Sequence, residues 1–90
     1  MVLMIAYDLH EPDRDYEAVI KVIKDLGLWC HVEESVWLVD TATKSGDVRD
    51  QLSEVSKDAT YLVQRVTKNW SSWGASEPMT AWLKSADRSW

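Results

Sequence analysis

The residues best suited to chemistry lie where the first hydrophobic run of this 90-residue chain ends, in Tyr7-Asp8-Leu9-His10. Asp8 offers the hard carboxylate oxygens that Mg²⁺ or Mn²⁺ takes; such ions often use one or two protein carboxylates, with waters and substrate phosphates completing the shell. His10 is the better placed of the two histidines to carry a proton near neutral pH, because its loop must be exposed. Asp40 closes a second hydrophobic run and is a candidate to assist as a ligand or to orient a metal-bound water. Together these types suit metal-assisted attack of water on a phosphodiester, with the cation acidifying the water and His10 moving the proton. Each has a plainer alternative. Asp8 is otherwise a strand-end carboxylate that caps or solubilises its loop, and Asp40 a turn former.

The remaining candidates favour structure. Cys30 falls mid-strand and reads as a small core residue, and with His31 and His10 scattered it makes no zinc site. Asp13 and Asp15 are expected to cap a helix, and Tyr7 to be packed. Trp29, Trp37 and Trp82 read as core or dimer contacts, with base stacking the minority role. The sequence has no Gly-rich phosphate loop, serine nucleophile elbow or Cys-x-x-Cys pair.

Composition narrows the partners. Fifteen acids against ten bases leave a formal charge of -5, and the bases form no stripe, which argues against a dedicated high-affinity nucleic-acid binder. Acids crowd the start, where Asp8, Glu11, Asp13, Asp15 and Glu17 surround only Arg14, so this loop repels phosphate unless a cation intervenes. Nucleic-acid contact is therefore expected to be weak and metal-assisted. No run approaches the ~18 apolar residues of a membrane span, so no membrane association is expected. The short, uncharged opening run does not look like a secretion signal, and the lone Cys30 fits a reducing compartment, which together point to a cytoplasmic protein. Six Trp with no Phe is the other anomaly of composition.

The elements that must hold these residues follow from periodicity. Val2 to Tyr7 is apolar on both faces and reads as a central strand. Tyr16, Val19, Ile20, Ile23 and Leu26 recur at helical spacing, with Gly27 as the stop. Leu28 to Val32 and Val36 to Thr41 read as a hairpin turning at Glu33-Glu34. Ser45-Gly46-Asp47 opens a helix with the narrow stripe Val48, Leu52 and Val55, and Tyr61 to Val66 is a fourth strand. Beyond Lys68, Trp70 and Trp73 lie in a Ser/Gly-rich turn, and Ser76-Glu77-Pro78 starts a short helix with Met79, Trp82, Leu83 and Ala86 on one face.

This order defines an α+β fold, a ferredoxin-like βαββαβ domain over 1–67 with a four-stranded antiparallel-type sheet, and a Trp-rich turn and short helix over 68–90 packed on it. Right-handed crossovers are expected to set the first and third strands side by side and parallel at its centre. Asp8 and Asp40 would then share one edge with the loop from His10 to Asp15, with Trp29 and Tyr61 nearby.

Met4 to Leu9, the helix ending Lys-Asp-Leu-Gly27, and Ser35 to Asp40 together resemble the CRISPR-associated Cas-two superfamily. The likeness is closer to its stand-alone relatives of the SinR family, through Tyr-Asp-Leu-His-x-Pro and Trp-Leu-Val-Asp-Thr, and covers roughly Met1 to Val66. It implies a homodimer with facing sheets in which Asp8 and its symmetry mate bind a divalent metal. It also implies one of two roles, a metal-dependent nuclease or a non-catalytic scaffold beside an integrase. After Val66 the chain departs from the scaffold members, and it lacks their basic character. The rival class is thus a dimeric interaction module, with an unidentified protein partner and the Trp-rich segment as working surface. Burial independently favours the homodimer, since two helices cover only one face of the sheet; the last helix would either cover the other face or clasp the partner.

Overall fold

The computed structural model describes residues 1–10 and 16–90. Its elements run β1 (Val2–Leu9), α1 (Tyr16–Asp25), β2 (Leu28–Glu33), β3 (Val36–Asp40), α2 (Ser45–Val55), β4 (Ala59–Val66) and α3 (Glu77–Lys84). The expected caps Asp13 and Asp15 lie outside the described residues. The four strands form one antiparallel sheet in the order β2-β3-β1-β4, so the fold is α+β with a four-stranded antiparallel sheet and three helices.

Alternation along β1 gives each face its own core. Leu3, Ile5, Tyr7 and Leu9 point to the side of α1 and α2, where they meet Val19, Ile23, Val48 and Leu52 around Trp37, which is 2% exposed. Burying a side chain of that size contributes roughly 3 kcal/mol. Val55 was expected in this stripe, yet it is exposed at the end of α2. Val2 and Met4 point the other way, into a second cluster with Cys30, Leu38 and Leu83.

The C-terminal segment closes much of that second face. Ser76 caps α3 by accepting from the Met79 amide at 3.2 Å, and Pro78 occupies a first-turn position where a missing N–H costs nothing. Leu83, Met79 and Trp82 then pack on the sheet beside Trp70 and Trp90, whose rings stack at 6.4 Å. Ala86 lies beyond the helix. The apolar face that called for a partner is thus largely covered from within the chain, although Leu62 on β4 remains 53% exposed.

The expected parallel pairing of the central strands is corrected. β1 and β3 are neighbours, but they run antiparallel, with Val2 opposite Asp40 and Ala6 opposite Val36. The crossover through α1 sets the direction of β2 relative to β1, and the tight hairpin then reverses β3. Gly27 serves a reason other than a left-handed stop, since its φ is not positive. A Cβ there would collide with the Asp40 carbonyl, so the glycine admits the close approach of the end of β3.

Candidate active site at the end of β1

The antiparallel register separates the two carboxylates expected to cooperate. Asp8 lies six residues beyond Val2, the partner of Asp40, which at ~3.3 Å per residue is roughly 20 Å along the sheet. Trp29 opposes Val39, near the Asp40 end, so it too is remote from Asp8. Tyr61 does sit close, opposite Tyr7.

Asp8 is exposed, and its strand partner is Thr60. β1 and β4 stay zipped past this pair, because the His10 amide donates to the Asp58 carbonyl at 3.0 Å. Three short-range consequences follow. His10 Nδ1 lies 3.2 Å from Asp58 Oδ1, its Nε2 lies 3.1 Å from Thr60 Oγ1, and the same Nε2 is 3.9 Å from Asp8 Oδ2. The imidazole thus stands between two carboxylates and a hydroxyl contributed by the two strand ends.

Sequence reasoning found Asp8 and His10 but not Asp58 or Thr60. Only the cross-strand register, which no local spacing reveals, brings these two to His10. The hairpin turn of β2 and β3 reaches the same end of the sheet, where the Tyr7 amide donates to the Ser35 carbonyl at 3.0 Å. There Tyr7, Tyr16, Ile20, His31, Glu34 and Ser35 line a cleft of about 420 Å³. His31 stacks on Trp37 with ring centres 3.9 Å apart and planes 7° from parallel, and its Nε2 lies 3.3 Å from the Glu34 carbonyl.

Asp40 has a structural occupation. Its Oδ2 accepts from the Ser89 amide at 2.8 Å and meets Arg88 at 3.4 Å, and its Oδ1 is 3.6 Å from the Met1 ammonium. Arg88 is held on its other sides, donating Nε–H to the Trp82 carbonyl at 2.9 Å and lying 4.1 Å above the Trp82 ring. The carboxylate is therefore committed to the C-terminal strap rather than presented to a ligand. Cys30 is buried beneath the same strap, and burial pushes its thiol pKa up, with Arg88 opposing.

For a divalent cation, Asp8 has the right donor chemistry and the needed exposure, whereas Asp40 does not fit. Among the described residues, no three His, Cys, Asp or Glu side chains gather as a ready ligand set. Also among them, no helix is long and apolar enough to cross a membrane. No protein-family model, curated protein or solved structure matches this chain.

Proposed function

We propose that this chain is a ferredoxin-like, Cas-two-like protein acting as a metal-dependent phosphodiesterase on nucleic acid, with its working edge at the end of β1, and as a homodimer on the strength of that resemblance alone, since the C-terminal segment already covers much of the face whose burial called for a partner. The observation that carries the reading is the convergence on His10, whose Nε2 faces Asp8 while Asp58 and Thr60 engage the ring. The strand order supports the ferredoxin-like assignment, and the opening Tyr-Asp-Leu-His supports the relationship. Asp8 would hold Mg²⁺ or Mn²⁺, which when bound polarises a phosphate and acidifies a water. His10 accepts the proton, and Asp40 has no part in the chemistry. One carboxylate leaves room for waters and substrate phosphate, and in the implied dimer for the partner subunit's Asp8. The net charge of -5 makes binding depend on that cation.

The test is cleavage of single- and double-stranded DNA and RNA with Mg²⁺ or Mn²⁺ by wild type and Asp8→Asn. We expect cleavage by the wild type and a loss of at least ~100-fold in the variant. Unchanged cleavage would remove Asp8 from the mechanism. A specific observation favours a second reading, a non-catalytic interaction module: Trp73 is fully exposed on the Ser/Gly-rich turn. No cleavage by either protein, with no metal binding by calorimetry, would leave that module as the better account.

A further inference from the structure

We infer that Asp58 is a positioning residue that fixes His10 as its Nδ1–H tautomer, leaving Nε2 as a lone-pair acceptor aimed at the space between Thr60 and Asp8. The inference rests on the phosphodiesterase reading for its catalytic meaning, while its structural content stands on the geometry alone. An ionised carboxylate can only accept, so the 3.2 Å contact between Asp58 Oδ1 and His10 Nδ1 requires the hydrogen on Nδ1. A neutral ring then has no hydrogen on Nε2, and the Thr60 hydroxyl at 3.1 Å must donate to it. Asp8 Oδ2, 3.9 Å from that same nitrogen, accepts nothing from it in this state.

The arrangement has a direction. Asp58 engages one ring nitrogen and Thr60 the other, and the nitrogen left able to take a proton is the one 3.9 Å from Asp8. A water bound beside Asp8 would replace Thr60 as the donor to Nε2, passing its proton there as its oxygen bonds to phosphorus and the P–O bond to the leaving alkoxide breaks, that alkoxide taking a proton from solvent. Without Asp58 the ring would be free to carry its hydrogen on Nε2, the form an unconstrained imidazole prefers, and would then present a donor where an acceptor is needed. Holding the ring through the atom remote from the reacting group is how a carboxylate orients a histidine base. Thr60 lies near the start of β4, Asp58 just before that strand and His10 just after β1, so the unit is assembled by strand pairing.

The experiment reads the tautomer directly. Long-range ¹⁵N–¹H correlation spectra at mildly alkaline pH distinguish Nδ1–H from Nε2–H rings, with His31 as the internal reference. We expect wild type to show His10 as Nδ1–H, Asp58→Ala to convert it mainly to Nε2–H, Asp58→Glu to restore the wild-type form, and Thr60→Val to leave the tautomer unchanged. A wild-type Nε2–H ring, or a ring indifferent to Asp58→Ala, would overturn the inference. Where the wild type cleaves, Asp58→Ala should lower kcat by roughly tenfold or more with KM little changed; a change in KM alone would overturn the positioning role. A wild type that cleaves nothing would defeat the phosphodiesterase reading, and the spectra would still decide whether Asp58 orients His10.

Discussion

The two ends of the sheet each carry an aspartate at a strand terminus, and the fold treats them in opposite ways. At one end Asp40, with its side chain 9% exposed, is enclosed by the Ser89 amide and by Arg88, itself 6% exposed. At the other end Asp8, 81% exposed, stands beside an imidazole in open solvent. An enclosed carboxylate must have its charge and lone pairs answered from within the chain, whereas an exposed one leaves its oxygens to water or an incoming ligand. The same residue type in the same kind of sequence, an aspartate closing an apolar run, thus becomes a rivet at one end and a candidate ligand at the other.

The comparison breaks most visibly at the rivet. Arg88→Ala leaves the Asp40 carboxylate with the more distant Met1 ammonium as its cation and uncovers the Trp82 ring, and Asp40→Ala takes the carboxylate from the guanidinium. Removing one partner of such an enclosed pair costs about 3 kcal/mol. Urea unfolding should therefore show a large fall in midpoint for either variant, and a double variant less destabilised than the sum of the two. Arg88→Lys should not rescue, because an ammonium cannot both reach Asp40 and reproduce the planar stack on Trp82 with donation to its carbonyl. A loss below about 0.5 kcal/mol in either single variant would mean that the strap is held by Leu83 and the tryptophans alone.

What could be read from the sequence divides along the same line. All seven elements were legible because each follows a local rule: the alternation of Val2 to Tyr7, the helical recurrence from Tyr16 to Leu26, and the Ser76-Glu77-Pro78 start of α3. Asp8 and His10 were legible as a pair because only Leu9 stands between them in the sequence. The partner of Asp40 was not, since Arg88 is 48 positions away and reaches it only because the chain folds back over the sheet. Asp58 and Thr60 were hidden for the same reason, being brought to His10 by register. The antiparallel direction of β3 was within reach, as a hairpin between β2 and β3 already implies it. The tryptophans split by position: Trp37 is core, Trp29 is 41% exposed with Lys24 Nζ 4.6 Å above its ring, and Trp73 is fully exposed.

A smaller effect sharpens the contrast through pH. The buried thiol of Cys30 lies beside the rivet, and the phenol of Tyr61 is set under α2, donating to the Ser56 carbonyl at 2.7 Å; burial raises both pKa values. Below the unfolded values both states keep these protons and nothing changes. Above about pH 8.5 the unfolded chain loses the thiol proton first, so the native state binds more protons and stability falls as pH rises. Urea midpoints should decline between about pH 8 and pH 10, and Cys30→Ala should flatten the early part of the decline. A decline unaltered by that substitution would assign the effect to Tyr61 and to the general charge of an already acidic chain.

The smallest effect expected on stability belongs to Asp8, and its smallness is what separates the two ends. Asp8→Asn preserves shape at a position open to solvent, and among the described residues the carboxylate it removes has only a 3.9 Å approach to an exposed imidazole. Exposed pairs of this kind contribute ~0 to 1 kcal/mol, and the second carboxylate close by, Asp58, means that losing one negative charge also relieves repulsion. The urea midpoint of Asp8→Asn should therefore lie within about 0.5 kcal/mol of wild type, on either side of it. Asp40→Asn, the same chemical change at the other end, should be clearly destabilised, because it weakens the acceptor that Arg88 and the Ser89 amide share. The pair is informative because a substitution that abolishes cleavage while leaving stability untouched marks a residue retained for its ligand rather than for the fold. Equal destabilisation of the two variants would instead make Asp8 a second rivet, closing the β1–β4 end through His10 as Asp40 closes the other through Arg88.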